Sequence, residues 1–171
     1  MLLLDRQGAK ADCYVRIESV EEAGRNEVLA PFALIDAVLA AGAGHRVGAS
    51  VENTQKAETL TPYFDRLALI VIAFPAGTNG RGFSLARQLR ERGYRGVLRA
   101  SGPLFPDQFP QALACGFDEI ELPEASAARQ PVEQWAAAAQ RMSVAYQRGY
   151  AYGSVTNILE QRRAARNAGA K

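Results

Sequence analysis

The clearest pattern along the chain is a run of eight apolar residues, 67–74, followed by two cycles of loop, amphipathic helix and strand. The run is rich in Ile, Val and Leu, which is typical of a strand covered on both faces, and such strands usually belong to parallel sheets. Helices are predicted at residues 83–92 and 107–115, and strands at 96–100 and 118–122. Because the ends of parallel strands meet at one edge of a sheet, we expect the loops that follow residues 74 and 100 to lie side by side.

The flanking regions continue the same alternation. Residues 32–41 are apolar almost throughout and predict a buried helix, residues 47–51 predict a strand, and residues 57–63 predict a short helical turn. Residues 118–122 alternate polar with apolar side chains, which places that strand near the edge of the sheet. Residues 132–147 carry an apolar stripe at helical spacing and predict a helix that lies across the core.

This order of elements predicts a single α/β domain, with a mainly parallel sheet and flanking helices. It divides the chain into an irregular N-terminal segment (residues 1–26, with a short edge strand at 14–17), the α/β domain (residues 27–147) and a partly ordered, arginine-bearing C-terminal tail (residues 148–171). An open three-layer sheet and a partial βα barrel both fit the order of elements, so the sequence leaves the two open.

Composition narrows the class of function. The chain has 171 residues, of which 48% are hydrophobic and 22% charged, as in an ordinary globular domain. A formal net charge of +2, without a basic stripe interleaved with aromatic residues, argues against nucleic-acid binding. The longest apolar run is too short to cross a bilayer, so no membrane association is predicted.

The cysteines and the histidine also restrict the chemistry. Cys13 and Cys115 form no CxxC motif, and His45 is the only histidine, so neither a thiolate-held metal centre nor a c-type haem is indicated. No cofactor is predicted, although the sequence leaves a flavin or a nicotinamide open. We expect a cytoplasmic protein whose cysteines are reduced.

Polar and charged residues concentrate in the two loops at the predicted sheet edge. The first loop has three glycines and Arg81 at the start of a helix, where backbone amides and the helix dipole favour an anion. Arg99 interrupts an apolar strand, where an unpaired guanidinium would be costly to bury. We therefore predict a pocket for a small anion such as phosphate, sulfate, sulfite or a carboxylate. Its residues are Gly80, Arg81, Gly82, Ser84, Arg99, Ser101, Asp107 and Gln108.

A structural interpretation of the same residues stays open. Glycines between a strand and a helix often serve turn geometry, Ser84 and Asp107 suit helix caps, and Arg99 could pair with Asp107 or Asp118. The sequence GTNGRG has neither the dinucleotide-binding spacing nor a following Lys-Ser or Lys-Thr. No catalytic residue is predicted, because a single histidine would have to serve any nucleophilic triad.

Three further features have structural interpretations. Cys115 lies on the apolar face of its predicted helix and is expected to be an inert core thiol. Trp135 belongs to the apolar stripe of the last helix and is expected in the core. The acidic residues at positions 118, 119, 121 and 124 lack metal-ligand spacing and are expected to form a solvated edge.

Residues 74–122 contain an ordered series of short motifs: Phe74-Pro75, Gly80-Arg81-Gly82, Ser84, Ala86-Arg87, Leu89-Arg90, Leu98-Arg99-Ala100, Gly102, Asp107-Gln108 and Cys115-Gly116-Phe117-Asp118. In these motifs the chain resembles a bacterial family, domain-of-unknown-function family 934, and the flanking organisation is similar as well. Two positions depart from the family pattern, because Gly77 replaces the usual aromatic residue and Asn79 replaces the usual aspartate. The second departure argues against an acid or base role at position 79.

The resemblance implies a role in sulfite reduction, because members of this family are described as probable oxidoreductases encoded beside the sulfite reductase haemoprotein. The first hypothesis is an accessory or assembly protein of assimilatory sulfite reduction, without its own metal centre and with a sulfite reductase component as partner. The alternative is an enzyme or binding protein for a small oxyanion or phosphorylated ligand at the Arg81/Arg99 edge, acting by electrostatic stabilisation. A flavin or nicotinamide oxidoreductase is third. Enzymatic activity and a homodimer both stay open.

Overall fold

The computed structural model of the protein describes residues 1–24, 27–42, 46–141, 144–145 and 156–157. The strands are β1 (Leu2–Asp5), β2 (Gly8–Lys10), β3 (Val15–Arg16), β4 (Val28–Pro31), β5 (Val47–Val51), β6 (Leu67–Ala73), β7 (Val97–Ser101), β8 (Glu119–Leu122), β9 (Val144–Ala145) and β10 (Thr156–Asn157). The α-helices are α1 (Ile35–Ala40), α2 (Ala57–Leu60), α3 (Arg81–Glu91), α4 (Phe109–Ala114), α5 (Glu124–Ala127) and α6 (Val132–Arg141). Single 3₁₀ turns lie at Val20–Glu22, Phe32–Leu34, Thr61–Tyr63 and Pro106–Gln108.

Among these residues, strands β1 to β8 form one sheet in the order β2-β1-β8-β7-β6-β5-β4-β3, while β9 and β10 pair separately. Strands β3 to β8 are parallel and follow one another in chain order, and β1 runs antiparallel to both β8 and β2. Right-handed crossovers that always add the next strand on the same side place their helices on one face of the sheet. The structure therefore confirms the α/β class and the mainly parallel sheet.

The core lies between this helical face and the sheet. Alternate strand residues such as Ile70, Ile72 and Leu98 pack in one cluster with helix residues such as Leu89 and Phe109, all of them buried. On the opposite face a small separate cluster of Leu29, Leu69 and Val71 contacts Tyr14 and Val97, with no helix residue among its members. The period-two alternation of each strand thus separates a large helix-covered core from a small second one.

The second face is concave, because the sheet is strongly curled. Strands β2 and β3 are at opposite edges, so seven strand spacings, about 34 Å along the sheet, separate them. Only residues 11–14 connect Lys10 to Val15, and such a segment reaches about 18 Å when fully extended. The two edges must therefore approach each other, as in half of a barrel. We call residues 11–14 the crossing segment, because they cross the concave face.

The N-terminal segment is not irregular, and that prediction was wrong. Strand β1 pairs with β8 from Leu2 opposite Leu122 to Asp5 opposite Glu119, and β2 extends the sheet beyond it. The short edge strand predicted at 14–17 is confirmed as β3, which pairs in parallel with β4. The N-terminal residues are therefore part of the sheet, and their apolar run was too short to reveal it from the pattern alone.

The position predicted for the last strand was also wrong. Strand β8 lies between β7 and β1, and all four of its residues are buried, including Glu119 (3% exposed) and Glu121 (2% exposed). The polar-apolar alternation indicated an edge strand with a solvated face. It reflects instead a second buried face on which the carboxylates are paired with cations.

The other predicted elements match the structure closely. Seven predicted elements are present, with bounds that differ from the prediction by a few residues. They are the helices and turns at 32–41, 57–63, 83–92 and 107–115 and the strands at 47–51, 67–74 and 96–100. Strand β4 and helix α5 were not predicted. The helix predicted at 132–147 is present as α6 over Val132–Arg141, but its predicted end was wrong, because Val144–Ala145 form strand β9. Residues 142–143 and 146–147 lie outside the described residues, as does the tail except for Thr156–Asn157.

Candidate functional site

The two loops after β6 and β7 are joined by the side chain of Gln108. Its Nε2 donates a hydrogen bond to the carbonyl oxygen of Gly77 at 2.6 Å, and its Oε1 accepts one from the amide of Phe105 at 2.9 Å. The amide nitrogen and the amide oxygen of Gln108 are therefore both hydrogen-bonded to backbone groups of the protein. These two bonds fix the spacing of the two loops.

Glycines in this region allow close backbone packing around Phe74. A Cβ at Gly102, whose φ is 150°, would lie 2.1 Å from the carbonyl oxygen of Phe74, and one at Gly82 would lie 2.3 Å from Cζ of the Phe74 ring. The same ring contacts Phe83 with a centroid distance of 5.0 Å. Gly82 and Gly102 are thus required by packing, since any side chain there would displace Phe74 or the loop.

Arg99 is held on the concave face by carboxylates. Its Nε donates to Oε1 of Glu119 at 2.7 Å, while its Nη1 and Nη2 donate to the two oxygens of Asp12 at 2.7 and 2.9 Å. Arg99 is 1% exposed. Burial works to lower the pKa of Arg99, but hydrogen bonds to Asp12 and Glu119 outweigh it, so that the pKa is raised and the group is permanently charged.

Further ion pairs extend this arrangement into a cluster of three cations and three anions. Lys10 binds Glu119 at 2.8 Å, Arg16 binds both oxygens of Glu121, and Glu121 lies 3.9 Å from Arg99. The cluster links two parts of the sheet. Strand β2, the crossing segment and strand β3 lie on one side of its contacts, and strands β7 and β8 lie on the other. We call Lys10, Asp12, Arg16, Arg99, Glu119 and Glu121 the ion-pair cluster. Its charges balance internally, and its function in the fold is to hold the N-terminal strands.

The structure does not bring Arg81 and Arg99 into one pocket, so that part of the prediction was wrong. Arg81 and Ser84 are exposed on α3 and line a cleft of about 320 Å³ between that helix and the loop after β5. Gly80, Asp107 and Gln108 line a second cleft of about 470 Å³ between the two loops. Arg99 lines neither cleft, because its guanidinium is enclosed on the other face of the sheet.

Ser101 and Ser84 have different positions from those expected. Ser101 is half-buried at the end of β7, where its carbonyl oxygen accepts a hydrogen bond from the amide of Phe74 at 2.7 Å. Ser84 lies inside α3 and does not cap it, since the residue preceding the helix is Gly80. Asn79 is adjacent, and its Oδ1 accepts a hydrogen bond from the amide of Arg81 at 3.2 Å.

Sequence reasoning missed Asn53, which lines the first cleft together with Arg81 and Ser84. Asn53 is 6% exposed, and its Nδ2 has no hydrogen-bond acceptor in the described part of the chain. Its position two residues after β5, at the edge where parallel strands end, was a signal that could have identified it. The partners of Arg99 were missed too, because Asp12 and Glu119 are distant from it in sequence.

The weaker candidates are structural where the structure describes them. Trp135 is buried at 1% exposure against Phe109, as predicted. Cys115 is half-buried against the core, and burial raises the pKa of its thiol. Asp118 accepts hydrogen bonds from the amide of Leu98 at 2.8 Å and from Arg90 at 2.6 Å, so it orders the start of β7. His45 lies outside the described residues.

Two classes of feature are absent from the described residues. No three His, Cys, Asp or Glu side chains among them are grouped as a metal ion would require. No helix among them is both long and apolar enough to cross a membrane.

A model of a bacterial protein family of unknown function, DUF934, matches residues 48–154, which is more than half of the chain. The protein belongs to this family. A search of curated proteins finds no match. The matched residues include β5 from its second residue, β6 to β8 and both clefts, whereas β1 to β4 and the crossing segment precede them.

The two departures from the family pattern have local structural consequences. Asn79 retains an oxygen that accepts from the Arg81 amide, so the substitution keeps the turn before α3 while removing a negative charge from the helix N-terminus. A Cβ at Gly77 would lie 2.6 Å from the Phe105 ring and 2.7 Å from the carbonyl oxygen of Pro103. In this chain the Phe105 ring therefore occupies the space beside position 77.

Proposed function

We propose that this member of the DUF934 family is an accessory or assembly protein of assimilatory sulfite reduction, acting without a metal centre of its own. The observation that supports this proposal is the fixed surface formed by the two loops. Gln108 ties the loops together, and Phe105 stands beside it with 51% of its surface exposed. A rigid edge with an exposed aromatic side chain suits protein recognition, because aromatic anchors dominate many interfaces and preorganised loops lose little entropy on binding.

The placement of Arg99 favours this proposal over catalysis at the Arg81/Arg99 edge. Electrostatic catalysis needs donors aimed at the reacting group. Every nitrogen of the Arg99 guanidinium is hydrogen-bonded to a carboxylate of the protein, and the residue is enclosed. The enzyme alternative would therefore have to rely on Arg81 without Arg99.

The proposal includes a cytoplasmic location and a sulfite reductase component as the partner. The two free thiols, Cys13 and Cys115, are compatible with a reducing compartment. A homodimer through the same loop edge is the competing use of this surface. A flavin or nicotinamide oxidoreductase is a further alternative, which the visible absorption spectrum of the purified protein and cofactor titrations address.

The experiment is co-purification of the tagged protein with the sulfite reductase haemoprotein from the same bacterium, followed by binding measurements on the purified pair. We expect specific retention by the wild-type chain and at least about tenfold weaker binding by Phe105→Ala, the size of effect seen for an interface anchor. Val15→Thr is the matched control, because Val15 is a similarly exposed hydrophobic residue (47%) on β3. Failure of the wild-type chain to bind, or equal binding by Phe105→Ala, would overturn the proposal. Size-exclusion chromatography of the chain alone tests the homodimer.

A further inference from the structure

The cleft between α3 and the loop after β5 is lined by polar groups on both sides. Helix α3 contributes Arg81, Ser84 and Gln88 at positions i, i+3 and i+7, which lie on one helical face. Leu85, buried at 3% exposure, gives this wall an apolar base. The other wall consists of Asn53, Thr54 and Gln55.

Asn53 provides an independent indication that something binds in this cleft. The residue is 94% enclosed, and its Nδ2 donates to no atom in the described part of the chain. Buried side-chain donors nearly always have an acceptor, since leaving one unpaired is costly. An acceptor atom brought by a ligand in the cleft would remove that cost.

The charges around the cleft define the ligand. Arg81 contributes a guanidinium for which no ion pair or side-chain hydrogen bond is found within the described residues, and no carboxylate lines the cleft. Arg81 and Ser84 are also in the first turn of an eleven-residue helix, whose dipole favours negative charge. The larger cleft near Arg6 and Arg95, by contrast, is lined by Asp5 and Asp118, so it carries its own counter-charges.

We propose that this cleft binds a small oxyanion, a phosphate or sulfate group that is either free or carried as an ester. Arg81 supplies the positive charge, Asn53 donates from Nδ2, and Ser84 donates from its hydroxyl. The cleft volume of about 320 Å³ exceeds that of the ion itself, so it leaves room for a small organic group. The site does not depend on Phe105 or on the proposed protein partner, and the two proposals can fail separately.

The test is titration calorimetry and thermal unfolding of the full chain with inorganic phosphate, inorganic sulfate and glycerol 3-phosphate, at an ionic strength held constant with chloride. Ligand-linked stabilisation follows the logarithm of the ligand concentration relative to the dissociation constant. We expect saturable binding below 10 mM, on the order of a weak to moderate anion site, and at least about tenfold weaker binding by Arg81→Gln. Arg95→Gln is the matched control, because Arg95 is exposed and lines the other cleft.

Asn53→Leu separates a ligand-binding role from a structural one. The variant keeps the number and branching of the side-chain heavy atoms and removes the unpaired donor, so without ligand it should unfold at the same or a higher temperature than the wild type. It should also lose at least about tenfold in oxyanion affinity. Lower intrinsic stability with unchanged affinity would assign Asn53 a structural role and overturn its part in the site.

Sulfate stabilises many proteins without specific binding, and the variants control for this effect. The same thermal shift in Arg81→Gln as in the wild type, or no saturable heat with any of the three probes, would overturn the proposal. Binding of glycerol 3-phosphate at least tenfold tighter than inorganic phosphate would identify an ester as the ligand. Equal binding would identify the free ion.

Discussion

Removing the Arg99 side chain should show how strongly the ion-pair cluster holds the fold. The substitution Arg99→Met keeps a flexible aliphatic stem and removes the guanidinium, which leaves Glu119 and Glu121 nearly fully buried, at 3% and 2% exposure. Loss of one partner of a buried ion pair typically costs about 3–5 kcal/mol. Asp12 lies at the opening of the cluster and can regain water, and Lys10 and Arg16 still neutralise the two glutamates. We therefore expect a loss of about 3–4 kcal/mol in the free energy of unfolding.

Urea unfolding followed by fluorescence measures this loss directly. Trp135 is the only tryptophan of the chain and is buried at 1% exposure, so its emission reports the loss of the core. Arg92→Met is the matched control, because Arg92 pairs with Glu58 at the surface, where ion pairs contribute about 0–1 kcal/mol. The double variant Arg99→Met/Glu119→Gln should recover at least about 1 kcal/mol of the loss, since it removes a buried negative charge and leaves the cluster with equal numbers of cations and anions.

The same comparison at low pH checks the sign of the electrostatic effect. Burial works to raise the pKa of Asp12, but hydrogen bonds from Arg99 and from the Tyr14 amide, together with the charge of Arg99, bring the pKa below its ordinary value. A carboxyl whose pKa is lowered by folding contributes stability above its unfolded pKa of about 4, and the contribution is lost as the pH falls through the folded pKa. The difference between wild type and Arg99→Met should therefore shrink below about pH 4. A loss under 1 kcal/mol at pH 7, or a difference that grows in acid, would refute this account.

Three smaller predictions concern the loops and a thiol. Gly102→Ala should lower the free energy of unfolding, measured in urea, by at least about 2 kcal/mol, because the backbone conformation and close contacts of Gly102 exclude a Cβ. Gly24→Ala is the control and should change this free energy little, because a Cβ at Gly24 meets open space. Gln108→Ala should cost about 1–2 kcal/mol and speed hydrogen exchange in the two loops, and unchanged exchange would contradict its tying role. Cys13 is exposed, but its hydrogen bond to Glu27, and to a lesser extent burial, raises the pKa of its thiol. Glu27→Gln should therefore speed the reaction of Cys13 with a disulfide reagent at pH 8. An unchanged reaction rate would contradict the role of Glu27 in raising this pKa.

The strands and helices between residues 47 and 122 could be predicted because their signals are local. An apolar run of strand length, glycine at the turns and apolar residues at helical spacing each depend on neighbouring residues alone. The edge where β6 and β7 end followed from the rule that parallel strands share their carboxyl edge. Strands β1, β2 and β4 were not predicted, because each has four residues or fewer and little pattern of its own.

The candidate site was harder to predict, because the role of a polar residue depends on what faces it. Arg99 and Arg81 look alike in sequence, each close to a loop at the same edge. Arg99 lies within a strand, so its side chain points to one face of the sheet, and the curl of the sheet brings Asp12 to that face from 87 residues away. Arg81 begins a helix and remains exposed at a cleft.

The sequence by itself determined the alternation of buried strands and amphipathic helices. It also placed the charged residues of the two loops at the edge of the sheet where β6 and β7 end. Only the tertiary structure decided which charges meet. The five-residue step from Lys10 to Val15 spans the curled sheet, and that closure turns Glu119 and Glu121 from an apparent solvated edge into the buried partners of cations. The physical reason is that hydrophobic periodicity acts over neighbouring residues, whereas a buried charge requires its counter-charge at hydrogen-bond distance, wherever the chain supplies it.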